Sequence, residues 1–412
     1  MRQNAYVAGV GMTRFGKHMD RGMKDLAGEA ILAALKDSGL EGKDLNAAYM
    51  GSAATGVITG QVCVPGQVVL RGLGIGHIPV INVENACATA STAFNQAATM
   101  ITAGLYDVVL AVGMEKLYHE DKQRTFDVFT GAVDVEDMDG VIRNVEEEIR
   151  AAGMEPDLEG AGKTRSLFMD IYVTWAVKHM KEYGTTREQF AAVSAKNSYH
   201  GSLNARAQYQ EELTVEDVLA SREVAWPLTL PMCSPIGDGA AAVVLVSERK
   251  ARELGLTDGG VRVASSVLGS GWDYTDADSE TFPEVIAKQA YEEAGLGPDD
   301  LDCVELHDAS APSEILYYEY LGLCGKGEGG PLAESGDTRL GGRLPVNTSG
   351  GLLRKGHPIG ATGTAQIVEL TEQLRGVAGK RQVEGARVAL AENGGGFIGK
   401  DAAALVVSIL TT

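Results

Sequence analysis

Four short segments of this 412-residue chain carry side chains able to do chemistry together. The first is "VENACATASTAFNQAATM", residues 83–100, where a strand-like run, Val80–Val83, ends just before Cys87. No charged side chain follows between Ala86 and Tyr106. Asn95, Gln96 and repeated Ser and Thr keep the stretch from being a membrane span, which needs about 18 or more consecutive apolar residues. A helix with no charged face is buried on all sides. Cys87 therefore stands before the first turn of a buried helix, where free N–H groups and the helix dipole favour a thiolate. The second segment, "GHPIGATG" at 356–363, confines His357 between Gly356 and Pro358. Pro358 suits a first helical turn, and Gly360 and Gly363 permit close helix packing. The third, "ELHDAS" at 305–310, offers His307 and Asp308, placed to orient each other or a water. The fourth, "ENGGGFIG" at 392–399, follows a strand with three glycines, which leave an amide free to face a developing oxyanion. A thiol, two imidazoles and a glycine-lined amide together describe acyl transfer through a covalent thioester. Cys63, Cys233, Cys303 and Cys324 read instead as small buried hydrophobes.

The elements that must bring these segments together are written twice. "DSGLEGKDLNAAYMGSA" (37–53) aligns without gaps to "EAGLGPDDLDCVELHDA" (293–309), each a helix end, a Gly turn and a strand. "GDGAAAVVLVS" (237–247) matches "GKDAAALVVS" (399–408), each a buried strand of Ala and β-branched residues. Between these anchors each half has a strand-turn-helix, "INVENACATASTA" in one and "LPVNTSGGLLRKGHPIGATGTA" in the other. Strands alternating with helices in two similar halves imply a layered α/β core. A pseudo-twofold arrangement would bring Cys87 close to the 347–363 segment. The division is 1–115 with 236–256 for the first half, 116–235 for an insertion, and 257–412 for the second half. Residues 116–160 of the insertion hold thirteen acids against five bases, whereas 163–206 hold seven bases, including Lys163, Arg165 and Lys196, against three acids. That basic stretch is either a solvated helix face or a positive surface for an anionic ligand.

Bulk composition narrows the function classes. Hydrophobic content of 44% and charged content of 22% describe an ordinary globular chain. A net charge of −20 argues against nucleic acid or an anionic membrane as partner. The N-terminus enters a strand pattern with no apolar leader. Five cysteines, an odd number without CxxC spacing, point to reduced thiols in a cytoplasmic protein and to no metal site.

The order of "NACATAST", "HDA", "NTSGG…GHPIGATG" and "GGG…DAAALVVS" resembles the thiolase superfamily over essentially the whole chain. "MCSPIGDGAAAVVL" and "HDA" look like the sterol-carrier-protein type and its prokaryotic relatives. The resemblance implies a five-layered αβαβα fold of two similar halves, with the insertion binding coenzyme A, and dimers or tetramers. It makes Cys87 the acyl-accepting nucleophile and His357 its activating base. His307 takes the place of the water-anchoring residue of one oxyanion hole. The amides of Cys87 and Gly394 form the other, and His357 also helps bind the thioester oxygen. Contacts to coenzyme A are expected from Lys163, Arg165, Lys196, Ser349 and Gly350. Coenzyme A and its acyl thioesters enter as substrates, with no tightly bound cofactor, and prokaryotic relatives add a small zinc-ribbon/OB-fold companion protein. The pattern breaks at one point. Typical members use a second cysteine as acid/base, and the corresponding positions here are Glu392 and Ala309. Three readings follow: His307 is recruited, Glu392 serves once burial raises its pKa, or the reaction differs. The competing functions are an aldol-type carbon–carbon lyase and a non-catalytic acyl-binding subunit. Glu392 also reads as a structural carboxylate.

Overall fold

The computed structural model describes residues 3–274 and 280–412. Its strands are β1 (Ala5–Met12), β2 (Ala47–Gly51), β3 (Val80–Val83), β4 (Val108–Glu115), β5 (Glu223–Ala225), β6 (Leu228–Thr229), β7 (Gly239–Ser247), β8 (Arg262–Gly269), β9 (Cys303–Glu305), β10 (Val388–Gly395) and β11 (Ala404–Thr411). Among the described residues nine of them form one sheet in the order β3-β2-β4-β7-β1-β8-β11-β10-β9, and β5 and β6 form a separate ribbon.

The repeat is visible in the pairing. In the first wing β2 runs parallel to β4, β4 antiparallel to β7, and β7 antiparallel to β1. In the second wing β9 runs parallel to β10, β10 antiparallel to β11, and β11 antiparallel to β8. The counterpart of edge strand β3 shrinks to one parallel bridge between Val304 and Val346. A short antiparallel seam, Ala5 with Val263 and Tyr6 with Arg262, joins the wings.

Apolar strands without a polar face must be covered on both sides. In β7, Ala240, Ala242, Val244 and Val246 enter one core while Ala241, Val243 and Leu245 enter another. The outer core of the first wing is closed by the helix Met23–Ser38, which ends at Gly39 in the left-handed conformation (φ 68°) that favours glycine. The outer face of the second wing is covered by Phe282–Ala294 and Ala311–Tyr320. Between the wings lie the helices Thr89–Thr102 and Thr362–Leu374, packed into a core that draws on strands of both. Helix, sheet, helix, sheet, helix is the layering expected of the duplicated α/β chain.

The two central helices meet backbone to backbone. A Cβ on Gly363 would lie 2.4 Å from the Ser91 nitrogen, so a larger residue would force them apart. Residues 116–235 add the helices Lys122–Thr130, Met138–Ala151, Leu167–Tyr183, Arg187–Ser202 and Val215–Ala220 together with the β5–β6 ribbon, and contribute no strand to the large sheet among the described residues. No helix of the described residues is long and apolar enough to cross a membrane. All five cysteines are free thiols.

Candidate active site

Cys87 sits in a single 3₁₀ turn, Ala86–Ala88, between β3 and the first central helix. Ala86 there has φ 48°, a left-handed conformation that costs a non-glycine residue about 1–3 kcal/mol. The surroundings hold the turn in place. The Asn85 side chain donates to Thr92 Oγ1 at 3.0 Å, and the Asn85 amide donates to Thr89 Oγ1 at 2.9 Å. Asn393 Nδ2 donates to the Cys87 carbonyl at 2.8 Å and to Ser91 Oγ at 3.0 Å. The glycine run of β10 can press against this turn because it lacks side chains: a Cβ on Gly395 would lie 2.3 Å from the Asn85 carbonyl oxygen.

His357 and His307 converge on the sulfur from the second wing. Cys87 Sγ and one ring nitrogen of each histidine all lie within 4.8 Å of one another, and all three residues are buried. The two imidazoles meet edge to face, with ring centroids 5.2 Å apart. His357 Nδ1 is 2.7 Å from Thr362 Oγ1, whose hydroxyl lies 3.3 Å from the Pro358 carbonyl. If that hydroxyl donates to the carbonyl, it accepts the Nδ1 proton; this assignment leaves Nε2 as a lone-pair base. His307 Nε2 is buried with no hydrogen-bond partner, and the His307 amide donates to Glu392 Oε2 at 2.9 Å.

Burial sets the protonation states. Desolvation, reinforced by the Glu115 carboxylate, pushes the Cys87 thiol up to about 12; the Gly396 amide and Cys87's own amide oppose it without winning. Desolvation holds His307 down at about 3 and, with His307 and Lys355 nearby, His357 well below the usual imidazole range. The resting pair is therefore a neutral thiol and a neutral imidazole, not the thiolate expected from the helix mouth alone. A charge in this buried pocket loses more hydration than one turn of amides returns. Glu392, also fully buried, is pushed up to about 8 by desolvation, against the His307 amide, the Tyr317 hydroxyl and the Gly394 amide.

The cavity at Cys87 is about 20 Å³, space for roughly one water, and is lined by His307, Tyr172, Trp175, Tyr317, Phe397 and Gly394–Gly396 among others. Glu392 is not among its lining residues. The chemistry available to the site is nucleophilic attack by sulfur with imidazole as base. The three converging ligand atoms would also suit a soft cation, but a bound cation would occupy the nucleophile and both bases.

Comparison with known proteins bears on the same residues. The thiolase N-terminal domain matches residues 5–223, and a thiolase C-terminal domain-like region matches residues 275–409. The chain belongs to the thiolase family. It is 40% identical to the acetyl-CoA acetyltransferase of Methanothermobacter thermautotrophicus, over 95% of this chain and 96% of that protein. It is 37% identical to sterol carrier protein 2 of Bos taurus, over 95% of this chain and 70% of that one. It is 38% identical to the benzoylsuccinyl-CoA thiolase subunit BbsB of Thauera aromatica, over 96% of each chain. Among solved structures, an Ltp2-ChsH2(DUF35) aldolase matches with a TM-score of 0.75 at 26% identity, covering 98% of this chain and 97% of that one. The protein is thus a thiolase-family acyltransferase.

Several residues of this thiolase stand elsewhere than its sequence suggested. Asp308 turns away from His307 and accepts from the Leu352 amide at 2.7 Å and Asn197 Nδ2 at 2.8 Å, which secures the short helix before His357. The amide facing the Cys87 thiol is that of Gly396, while the Gly394 amide faces Glu392. Lys196 is buried: its ammonium pairs with Glu314 and donates to the Val346 carbonyl at 3.0 Å, which leaves it no route to a solvent-borne ligand. Arg165 is spent on Asp170, at 2.7 Å, and on the carbonyls of Asp157 and Glu159. Ser349 is fully buried and donates to Glu305, and Gly350 packs on the Gly201 backbone. Of the five residues expected to contact coenzyme A, Lys163 alone is exposed.

One residue at the core of the site carried no motif. Glu115, at the end of β4, is buried and accepts from the amides of Ala53, Ala54, Thr55 and Gly360 at 2.8–3.1 Å, and from the hydroxyls of Ser52 and Thr55. It ties the His357 loop to the first wing. The signal was a lone glutamate closing the otherwise apolar strand "VVLAVGME".

Proposed function

We propose that this thiolase transfers acyl groups from coenzyme A through a thioester on Cys87. The observation that carries the reading is the convergence of Cys87 Sγ with the ring nitrogens of His307 and His357 within 4.8 Å, all three residues buried. His357 Nε2 takes the thiol proton as sulfur attacks the thioester carbonyl. The new C–S bond forms, and the carbonyl pair moves to oxygen, where the Cys87 amide and the Gly394–Gly396 run face it. One good donor in such a hole is worth about 10²–10³ in rate. Collapse expels the coenzyme A sulfur, which leaves with the proton from His357. The balance is acyl-CoA plus Cys87 thiol giving acyl-Cys87 plus coenzyme A.

The second half-reaction is Claisen condensation with a second thioester, which needs a base to remove an α-proton. In the thiolytic direction Cys87 instead attacks the 3-oxo carbonyl of a 3-oxoacyl thioester, and the C2–C3 bond breaks. The same base returns its proton to the released enolate to give the shorter thioester, and free coenzyme A then takes the acyl group from Cys87. His307 is that base in our reading. It lines the pocket with an unpartnered Nε2, whereas Glu392 stands behind it and holds its amide. The insertion 116–235 carries coenzyme A, with Lys163 among its exposed cations. The working unit is a homodimer or tetramer with a small zinc-ribbon/OB-fold companion. Support for a heteromeric assembly comes from two likenesses, one to a protein named as a subunit and one to an aldolase whose name pairs two chains.

Intact-mass measurement after incubation with an acyl-CoA tests the first step. A mass gain equal to the acyl group, matched by released coenzyme A and absent in Cys87→Ser, is expected. No gain and no release would end the proposal. A second reading, aldol-type carbon–carbon cleavage, draws support from the likeness to the Ltp2-ChsH2(DUF35) aldolase and from Glu392 and Ala309 standing where a second cysteine is usual. Turnover that needs no free coenzyme A would select it over thiolysis.

A further inference from the structure

The 20 Å³ space at Cys87 holds no acyl group, but it shares Trp175, Tyr317 and Phe397 with a second cavity of about 510 Å³. These three rings are the partition. Trp175 and Phe397 lie with ring centroids 6.3 Å apart, and the Phe397 amide donates to the Ala132 carbonyl of the insertion at 2.9 Å. The larger cavity runs between the insertion helix Leu167–Tyr183 and the second-wing helix Ala311–Tyr320, and is walled further by Thr174, Leu316 and Tyr320. Its volume falls within the range of roughly 300–1,000 Å³ typical of whole small-molecule sites, far above what an acetyl group fills. The charges of its lining are five carboxylates, Glu148, Glu182, Glu280, Glu319 and Asp401, against three ammonium groups, Lys178, Lys326 and Lys400, the last of which meets Glu148 at 3.0 Å. Aromatic walls beside the nucleophile and an excess of carboxylates in the lining suit an apolar, bulky body better than an anionic one.

We infer that the 510 Å³ cavity is the acyl chamber of this thiolase, and that it selects thioesters of bulky, uncharged, ring-bearing acids, with Trp175 and Phe397 as the gate to Cys87. The inference rests on the acyl-Cys87 reading but is tested apart from it, by equilibrium binding to protein carrying Cys87→Ser. Isothermal titration with 3-cyclohexylpropanoyl-CoA and acetyl-CoA compares two ligands whose coenzyme A portions are identical. The ring-bearing thioester is expected to bind at least tenfold more tightly. Adding Thr174→Trp, which places an indole on the chamber wall, is expected to erase that preference. Leu316→Ala, which enlarges the chamber, keeps or increases it and serves where the tryptophan variant does not fold. Equal affinities in the parent protein, or a Thr174→Trp variant that weakens both ligands equally, would overturn the inference; the latter would give the chamber to the pantetheine arm. Failure of the unmodified enzyme to acylate, with the binding preference intact, would sink the covalent reading and leave the chamber standing.

Discussion

Replacing Glu392 by glutamine has a consequence for stability whose sign and size follow from its surroundings. The carboxyl is fully buried, one oxygen accepts the His307 amide at 2.9 Å, and the Tyr317 hydroxyl and Gly394 amide also face it. Burial raises its pKa from an ordinary value near 4.5 to about 8. An acid with a raised folded pKa binds its proton more tightly when native. Stability is then fully present below the unfolded pKa and is lost as pH rises from about 4.5 to about 8. At 1.36 kcal/mol per tenfold change in proton affinity, the span corresponds to about 5 kcal/mol, an upper bound because the pocket can relax. Glu392→Gln keeps an oxygen for the His307 amide and does not titrate. Urea unfolding at pH 5, 7 and 9 should give nearly equal stabilities at pH 5 and a variant more stable by about 2–5 kcal/mol at pH 9. Other titrating groups are common to both proteins and cancel in the difference. A difference that stays flat with pH would refute the reasoning and return Glu392 to an ordinary carboxylate.

Cys87, with its thiol pushed up to about 12, should react slowly with iodoacetamide, at a rate that climbs about tenfold per pH unit from 7 to 10. A plateau below pH 8 would instead reveal a preformed thiolate. Thr362→Val removes the acceptor at His357 Nδ1, and should slow acylation of Cys87 about tenfold in single-turnover kinetics, the equivalent of one lost hydrogen bond of about 1–2 kcal/mol. Glu115→Ala leaves the buried amides of Ala54, Thr55 and Gly360 without an acceptor, and should lower stability by about 3–5 kcal/mol in urea unfolding.

The duplicated architecture was legible because the repeat is periodic and apolar. Segments 37–53 and 293–309 contain β2 and β9, while 237–247 contains β7 and 399–408 runs into β11, in equivalent places. Cys87 and His307 were legible because each stands just past the end of a strand, and His357 because Gly356 and Pro358 confine it. Depth was not legible. Lys196 and Arg165 sit in a basic run that reads as surface, yet one is sealed against Glu314 and the other saturated by Asp170. Charge counts along a chain do not say which cations find buried partners. The Cys87 thiol misled for a related reason. Its helix mouth is a local feature, whereas the desolvation that overrides it comes from the second wing and the insertion, more than two hundred residues away for the glycine run.

The seam between β1 and β8 places two copies of one ancestral unit face to face around their central helices. In one copy the turn before the helix ends in sulfur, and in the other it carries an imidazole. In the mechanism we propose, a single proton crosses between twins, and neither twin alone retains a reason for its own departure from symmetry. Substitutions that loosen how the wings abut, however distant from the thiol, should register as lost turnover before they register as lost fold.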